Sequence, residues 1–127
     1  MPRKKIMVVD EDIDVLEELR ETLFLSGYNP LAVSDSSTAF SIARMGKPDV
    51  ILIDLKMNAV NGSRIAEKLS QSPDTAHIPI IAMTSRFTDE KNSSSLDNNG
   101  IKAVLKKPLM PLDVITQIEN VLSEIEE

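Results

Sequence analysis

The sequence predicts an α/β domain built on a parallel sheet with helices on both faces. Three observations carry this. Five short apolar runs alternate with stretches of helical period along the whole chain, as repeated strand–helix–strand crossovers require. Val50 to Ile53 are four consecutive apolar residues, the mark of a strand buried on both faces. Polar groups recur directly after the apolar runs, where open α/β sheets collect their ligands.

The first strand is Lys5 to Val9, ending in Asp10-Glu11-Asp12. From Ile13, Leu16, Leu19 and Leu23 recur at helical spacing, with Glu17, Glu18, Arg20 and Glu21 on the other side. Ser26-Gly27 stops that helix, because glycine takes a left-handed cap at little cost. Asn29 to Val33 is a brief second strand, and Asp35-Ser36 is a plausible N-cap for a helix carrying Ala39, Phe40, Ile42 and Ala43. That helix ends at Gly46 and Pro48. The central strand then runs to Asp54, and Asn61-Gly62 closes a polar loop before a third helix from about Ser63 to Ser70. Pro79 to Met83 forms the fourth strand and delivers Thr84-Ser85. Thr88 to Asn99 should be helix by its place in the alternation, yet it is rich in weak helix formers with Leu96 as its one apolar anchor. Lys102 to Lys106 is the fifth strand. A last helix, from about Pro111 to Ile125, repeats Leu112, Ile115, Ile118 and Val121/Leu122.

The 127 residues suffice for one core, and 42% of them are hydrophobic, which argues against disorder. With no cysteine there is neither a disulfide nor thiolate chemistry, in keeping with a cytoplasmic location. No apolar run is long enough to span a bilayer, and Met1 to Lys5 leads straight into the first strand without a signal-peptide core. A formal charge of −6 argues against nucleic-acid binding and points to protein partners.

Four strand ends carry polar groups: Asp10-Glu11, Asp54, Thr84 and Lys107. Each alone has a plain explanation, as a helix-capping acid, a strand threonine or a solvated lysine. In a doubly wound sheet they share one edge and can converge. Three carboxylates in one pocket repel unless a cation neutralises them, and oxygen ligands with water left over suit Mg²⁺. Such a pocket suits phosphoryl transfer, with Asp54 as a carboxylate nucleophile.

On these residues the sequence resembles the receiver domain of two-component response regulators over essentially all 127 positions. The matching motifs are VVDED at Val8 to Asp12, ILIDLKMNAVNG at Ile51 to Gly62, PIIAMTS at Pro79 to Ser85, and Lys107-Pro108. The resemblance implies a flavodoxin-like (βα)5 three-layer sandwich with strand order 2-1-3-4-5. It implies that Asp54 accepts a phosphoryl group from a histidine kinase or phosphotransfer protein. Mg²⁺ would be held by Glu11 directly, by Asp10 mainly through water, by Asp54, and by the Lys56 backbone carbonyl. Lys107 would contact the phosphoryl group, with the Lys107–Pro108 bond cis. Thr84, followed by Ser85, would donate its hydroxyl to the phosphoryl group and shift an inactive–active balance read by a downstream protein or output domain. The partner surface would be built from Phe87 to Glu127, with Lys102, Lys106, Gln117 and Glu124 exposed.

Three departures from the family pattern matter. Val104 stands where the family usually has Tyr or Phe, so the aromatic rotamer switch is absent; Phe87 could repack in its place or simply anchor a weak helix. Asn58 stands where proline is common, which leaves the loop after Asp54 freer. Lys56 and Arg86 occupy two variable positions that modulate water access, and two cations there should shield an acyl phosphate.

Three other readings compete. Asp10, Asp12, Asp14 and Glu21 fit EF-hand positions, but Val15 occupies the place of the required glycine. A haloacid-dehalogenase-like phosphatase would use Asp10 as nucleophile and Asp12 as acid, in a chain short for that class and without a cap domain. A receiver fold used as a phosphorylation-independent binding module keeps the architecture and drops the chemistry. Nothing after Ile125 encodes an output domain, so the expectation is a stand-alone receiver or one cut from a longer regulator.

Overall fold

The structure, a computed structural model, describes residues 2–58, 60–85 and 100–126. Arg86, Phe87 and the helix expected at 88–99 with its anchor Leu96 lie outside the described residues. Five strands form one sheet: β1 (Lys5–Val9), β2 (Asn29–Val33), β3 (Val50–Asp54), β4 (Ile80–Thr84) and β5 (Ile101–Lys106). Their order is β2-β1-β3-β4-β5 and every pairing is parallel. Four helices are present among the described residues: α1 (Ile13–Leu25), α2 (Ala39–Gly46), α3 (Gly62–Gln71) and α4 (Pro111–Glu126). This is the flavodoxin-like sandwich, in three layers.

Strand residues alternate between the two faces, so the core is split in two. Met7, Val9, Ile51, Ile53, Ile80 and Ala82 face Ala39, Ala43, Ile65, Ala66 and Leu69 of α2 and α3. Ile6, Val8, Leu52, Ile81 and Met83 face Leu16, Leu19 and Leu23 of α1 and Val114, Ile118 and Val121 of α4. All residues of β3 and β4 are buried, which is why Val50 to Ile53 shows no polar alternation.

Caps fix where the helices start. Asp12 accepts from the backbone N–H groups of Asp14 and Val15, so α1 begins within the stretch that an EF-hand would need as its calcium loop; that alternative is overturned. Asn61 caps α3 through the Ser63 N–H. Asp35 caps a single 3-10 turn at Ser36–Thr38 instead of α2 itself, which starts only at Ala39. In α4 the buried stripe is Val114, Ile118 and Val121; Leu112, read from the sequence as part of that stripe, is 77% exposed. A spacing of two residues turns Leu112 well away from the Val114 face. Among the described residues no helix is long and apolar enough to cross a membrane.

Candidate functional site

The carboxyl edge of the sheet gathers three charged side chains from widely separated segments. Asp10 leaves β1 with its N–H donated to the Val33 carbonyl at 3.1 Å, which extends the β1–β2 ladder by one step. Its Oδ1 accepts the Asp12 N–H at 2.9 Å, and its Oδ2 accepts from Lys107 Nζ at 2.6 Å. Asp54 is the last residue of β3; its Oδ1 accepts the Lys56 N–H at 3.1 Å and its Oδ2 accepts from the same Lys107 Nζ at 3.2 Å. Lys107 is fixed from its own backbone, where its N–H donates to the Thr84 carbonyl at 2.7 Å. The Lys107–Pro108 bond that follows is cis, as the resemblance implies.

One ammonium therefore serves two carboxylates, and one of these, Asp10, is only 1% exposed. Burial raises the Asp10 carboxyl above the ordinary aspartate range. The hydrogen bonds from Lys107 and the Asp12 amide oppose that rise without cancelling it, and the negative charge of Asp54 adds to it. Burial pulls Lys107 down, but the hydrogen bond and charge of Asp10, with Asp54 behind them, hold it above the ordinary lysine value. The two groups thus keep their protons for different reasons: Asp10 because it is buried, Lys107 because two carboxylates face it.

Thr84 is buried at the end of β4 and Ser85 beyond it is exposed. Lys56 is exposed beside the site, Pro108 is exposed, and Val104 on β5 is 42% exposed. Lys102, Lys106 and Glu124 are exposed as expected, whereas Gln117 is half-buried. Glu11 is placed differently from Asp10 and Asp54. Its Oε1 accepts the Asn58 N–H at 2.5 Å and its Oε2 accepts the Ser36 hydroxyl at 3.4 Å. Among the described residues no three acidic, His or Cys side chains come together as a group able to hold a metal ion.

Two residues of the site escape a reading of the sequence. Gly62 is the first residue of α3, and a Cβ there would lie 2.0 Å from the Asp54 carbonyl oxygen and 2.8 Å from the Leu55 Cα. The helix thus starts pressed against the backbone of Asp54, with the Gly62 N–H on the Leu55 carbonyl at 3.1 Å. Asn61-Gly62 reads locally as an ordinary turn; the close approach comes from tertiary packing. Ser36 is the other, and its only sequence signal is a helix-start pattern shared with Asp35.

Comparison with known proteins agrees with this architecture. The response regulator receiver domain family matches residues 6–119. The polar-differentiation response regulator DivK of Brucella anthropi is 27% identical over 124 residues, covering 98% of this chain and 99% of DivK. The phosphate regulon transcriptional regulatory protein PhoB of Pseudomonas aeruginosa is 27% identical over 122 residues, 96% of this chain, which spans only 53% of PhoB. Among solved structures, chemotaxis protein CheY4 of Vibrio cholerae superposes with a TM-score of 0.88 at 23% identity, covering 94% of this chain and 98% of CheY4. A CheY-like receiver domain protein of Methanospirillum hungatei gives 0.89 at 24% identity, covering 98% and 97%. With the family match spanning the sheet and most of the last helix, the chain belongs to the response regulator receiver domain family.

Proposed function

We propose that this chain, over 1–127, is a phosphoacceptor: Asp54 takes a phosphoryl group from the phosphohistidine of a histidine kinase or phosphotransfer protein. The observation that carries the reading is the sharing of one Lys107 ammonium by Asp54 and a deeply buried Asp10. An Asp54 carboxylate oxygen forms the new P–O bond as the P–N bond of the donor breaks, and the histidine nitrogen leaves with the electron pair and takes up a proton. Lys107 stands where charge on the transferred group needs an opposite charge. Thr84, at the adjacent strand end, offers a hydroxyl for a phosphoryl oxygen. The loop bearing it would carry the change to a downstream protein or output domain through the surface formed by β5 and α4. The setting for such an exchange is the cytoplasm.

Two carboxylates on one ammonium leave a net negative pocket that fits a hard divalent cation, and the donors are all oxygens: Asp10, Asp54, Glu11 after a change of partners, and the Lys56 carbonyl. Mg²⁺ bound there would add the positive charge that lets the two acids and an incoming phosphoryl group share one pocket.

The test is intact mass after incubation with a small-molecule phosphodonor, with and without Mg²⁺, for wild type and Asp54→Asn. One phosphoryl group that requires Mg²⁺ and is lost in Asp54→Asn is the expected result. Continuous phosphate release that survives Asp54→Asn would transfer the nucleophile's role to Asp10 and the phosphatase reading. Folded protein without any adduct would leave a phosphorylation-independent binding module.

A further inference from the structure

We infer that Ser36 is a positioning residue for Glu11, holding its carboxylate on the loop after β3 so that cation binding must unfasten that loop. The inference rests on the phosphoacceptor reading, since it concerns the same acid pocket. Ser36 is 2% exposed, in the 3-10 turn before α2. Its hydroxyl accepts the Val60 N–H at 3.0 Å and donates to Glu11 Oε2 at 3.4 Å. A hydroxyl has a single proton to donate; with Val60 on its lone pair, that proton is left for Glu11. The other oxygen, Oε1, is taken by the Asn58 N–H at 2.5 Å.

Both Glu11 oxygens are therefore engaged by neutral donors of the 3-10 turn and the β3–α3 loop. The carboxylate is not grouped with Asp10 and Asp54 in an arrangement that could hold a metal. Each oxygen keeps a second lone pair, so it is the placement of the carboxylate that matters: to share a cation with Asp10 and Asp54, Glu11 must swing away from these partners. The stowed and the ligating positions exclude each other, so the fraction of molecules with Glu11 stowed lowers the apparent cation affinity by that fraction.

The same bonds hold the loop. Its middle is fastened to Glu11 and Ser36 through Asn58 and Val60, and its far end to the backbone of Asp54 and Leu55 through Gly62. Releasing Glu11 frees Asn58 and returns the Ser36 proton, which Val60 feels through the same hydroxyl, while the end stays pinned beside Asp54. Cation binding and loop rearrangement become one linked equilibrium, with Ser36 setting its balance.

The experiment uses the full chain labelled with ¹⁵N and titrated with Mg²⁺ alone, for wild type, Ser36→Ala, Ser36→Gly and the neighbouring control Ser37→Ala. In wild type, the Asn58 and Val60 amide signals should move together with those around Asp10 and Asp54. Ser36→Ala and Ser36→Gly should bind Mg²⁺ about two- to threefold more tightly, the low end for removing a hydrogen bond because the stowing contact is long at 3.4 Å. This gain should appear even where the melting temperature falls. Ser37→Ala should match wild type. Should Ser36→Ala fail to fold, the smaller Ser36→Gly, with room for a water in place of the hydroxyl, decides the matter. Unchanged or weaker Mg²⁺ binding in the Ser36 variants, or Asn58 and Val60 signals that stay fixed while those of Asp10 and Asp54 move, overturns the inference and leaves the phosphoacceptor reading standing. No Mg²⁺-dependent shift around Asp10 and Asp54 in wild type removes both.

Discussion

A lysine and an aspartate meet at each end of the sheet, and the two meetings are built on different principles. At the amino edge, Asp49 Oδ2 accepts the Lys5 backbone N–H at 2.8 Å, while the Asp49 N–H returns to the Lys5 carbonyl at 2.8 Å. The Lys5 ammonium donates to the Gly46 carbonyl at 2.7 Å, at the end of α2. Each charged group there is answered by the backbone, which clasps β1 to the turn before β3. At the carboxyl edge, Asp10 and Asp54 both turn to Lys107, side chain to side chain, and the negative charge stays in excess. The first arrangement has finished its electrostatic work on folding. The second leaves two carboxylates to one ammonium, the imbalance on which the proposed cation and phosphoryl binding rests.

Substitution at each end should separate the two. Lys107→Met leaves two buried carboxylates facing each other without a counter-charge, at a cost of about 3–5 kcal/mol to the metal-free protein. It should also slow labelling by a phosphodonor at least about tenfold. Asp49→Ala removes the acceptor for a half-buried N–H and should cost about 1–2 kcal/mol. Labelling per folded molecule should be unchanged by Asp49→Ala. Denaturant titration and timed intact-mass measurements read both quantities. A loss of labelling in Asp49→Ala equal to that in Lys107→Met would mean that the two edges are not independent.

Gly62→Ala tests how far backbone packing holds the reactive edge in place. Its Cβ would meet the Asp54 carbonyl oxygen at 2.0 Å, so the start of α3 or the end of β3 must move. Overpacking of this kind costs about 1–3 kcal/mol. The backbone that moves is that of Asp54, the proposed acceptor, so labelling should fall with stability. Retained wild-type labelling would show that α3 alone gives way.

Of these two edges, the sequence makes the carboxyl one legible. The apolar runs, their alternation with helical periods, and the polar residues at strand ends announce the sheet and place Asp10, Asp54, Thr84 and Lys107 on one edge. What stayed hidden depends on contacts between segments far apart in sequence. Glu11 sits next to Asp10, and nothing local says that it turns toward Ser36 and Asn58 while Asp10 turns toward Lys107. Gly62 hides in a common turn pair because the Asp54 backbone it touches is eight positions back. Leu112 misleads because an apolar residue two positions from Val114 fits a loose helical period while facing solvent. The Lys5–Asp49 clasp is invisible for the opposite reason: isolated charges beside apolar runs are what any strand end shows.

The smallest effect carries a sign opposite to that of most acids. A salt-bridged aspartate usually has a lowered value in the folded state and stabilises at neutral pH. Asp10 is raised, chiefly by burial, so its ionised form is less welcome in the folded protein than in the unfolded chain. Its contribution is fully favourable only below the unfolded value and is lost as pH rises through the raised folded one. Asp10→Asn removes the buried charge and should therefore raise the melting temperature of the metal-free protein at neutral pH. The difference from wild type should shrink as pH falls through the folded Asp10 value, because wild type then carries a neutral group there too. Melting curves in chelator from pH 7 downward follow this directly. A destabilised Asp10→Asn at neutral pH would mean that the Lys107 contact outweighs burial, making the carboxyl edge a clasp like the amino edge instead of a site held in readiness for positive charge.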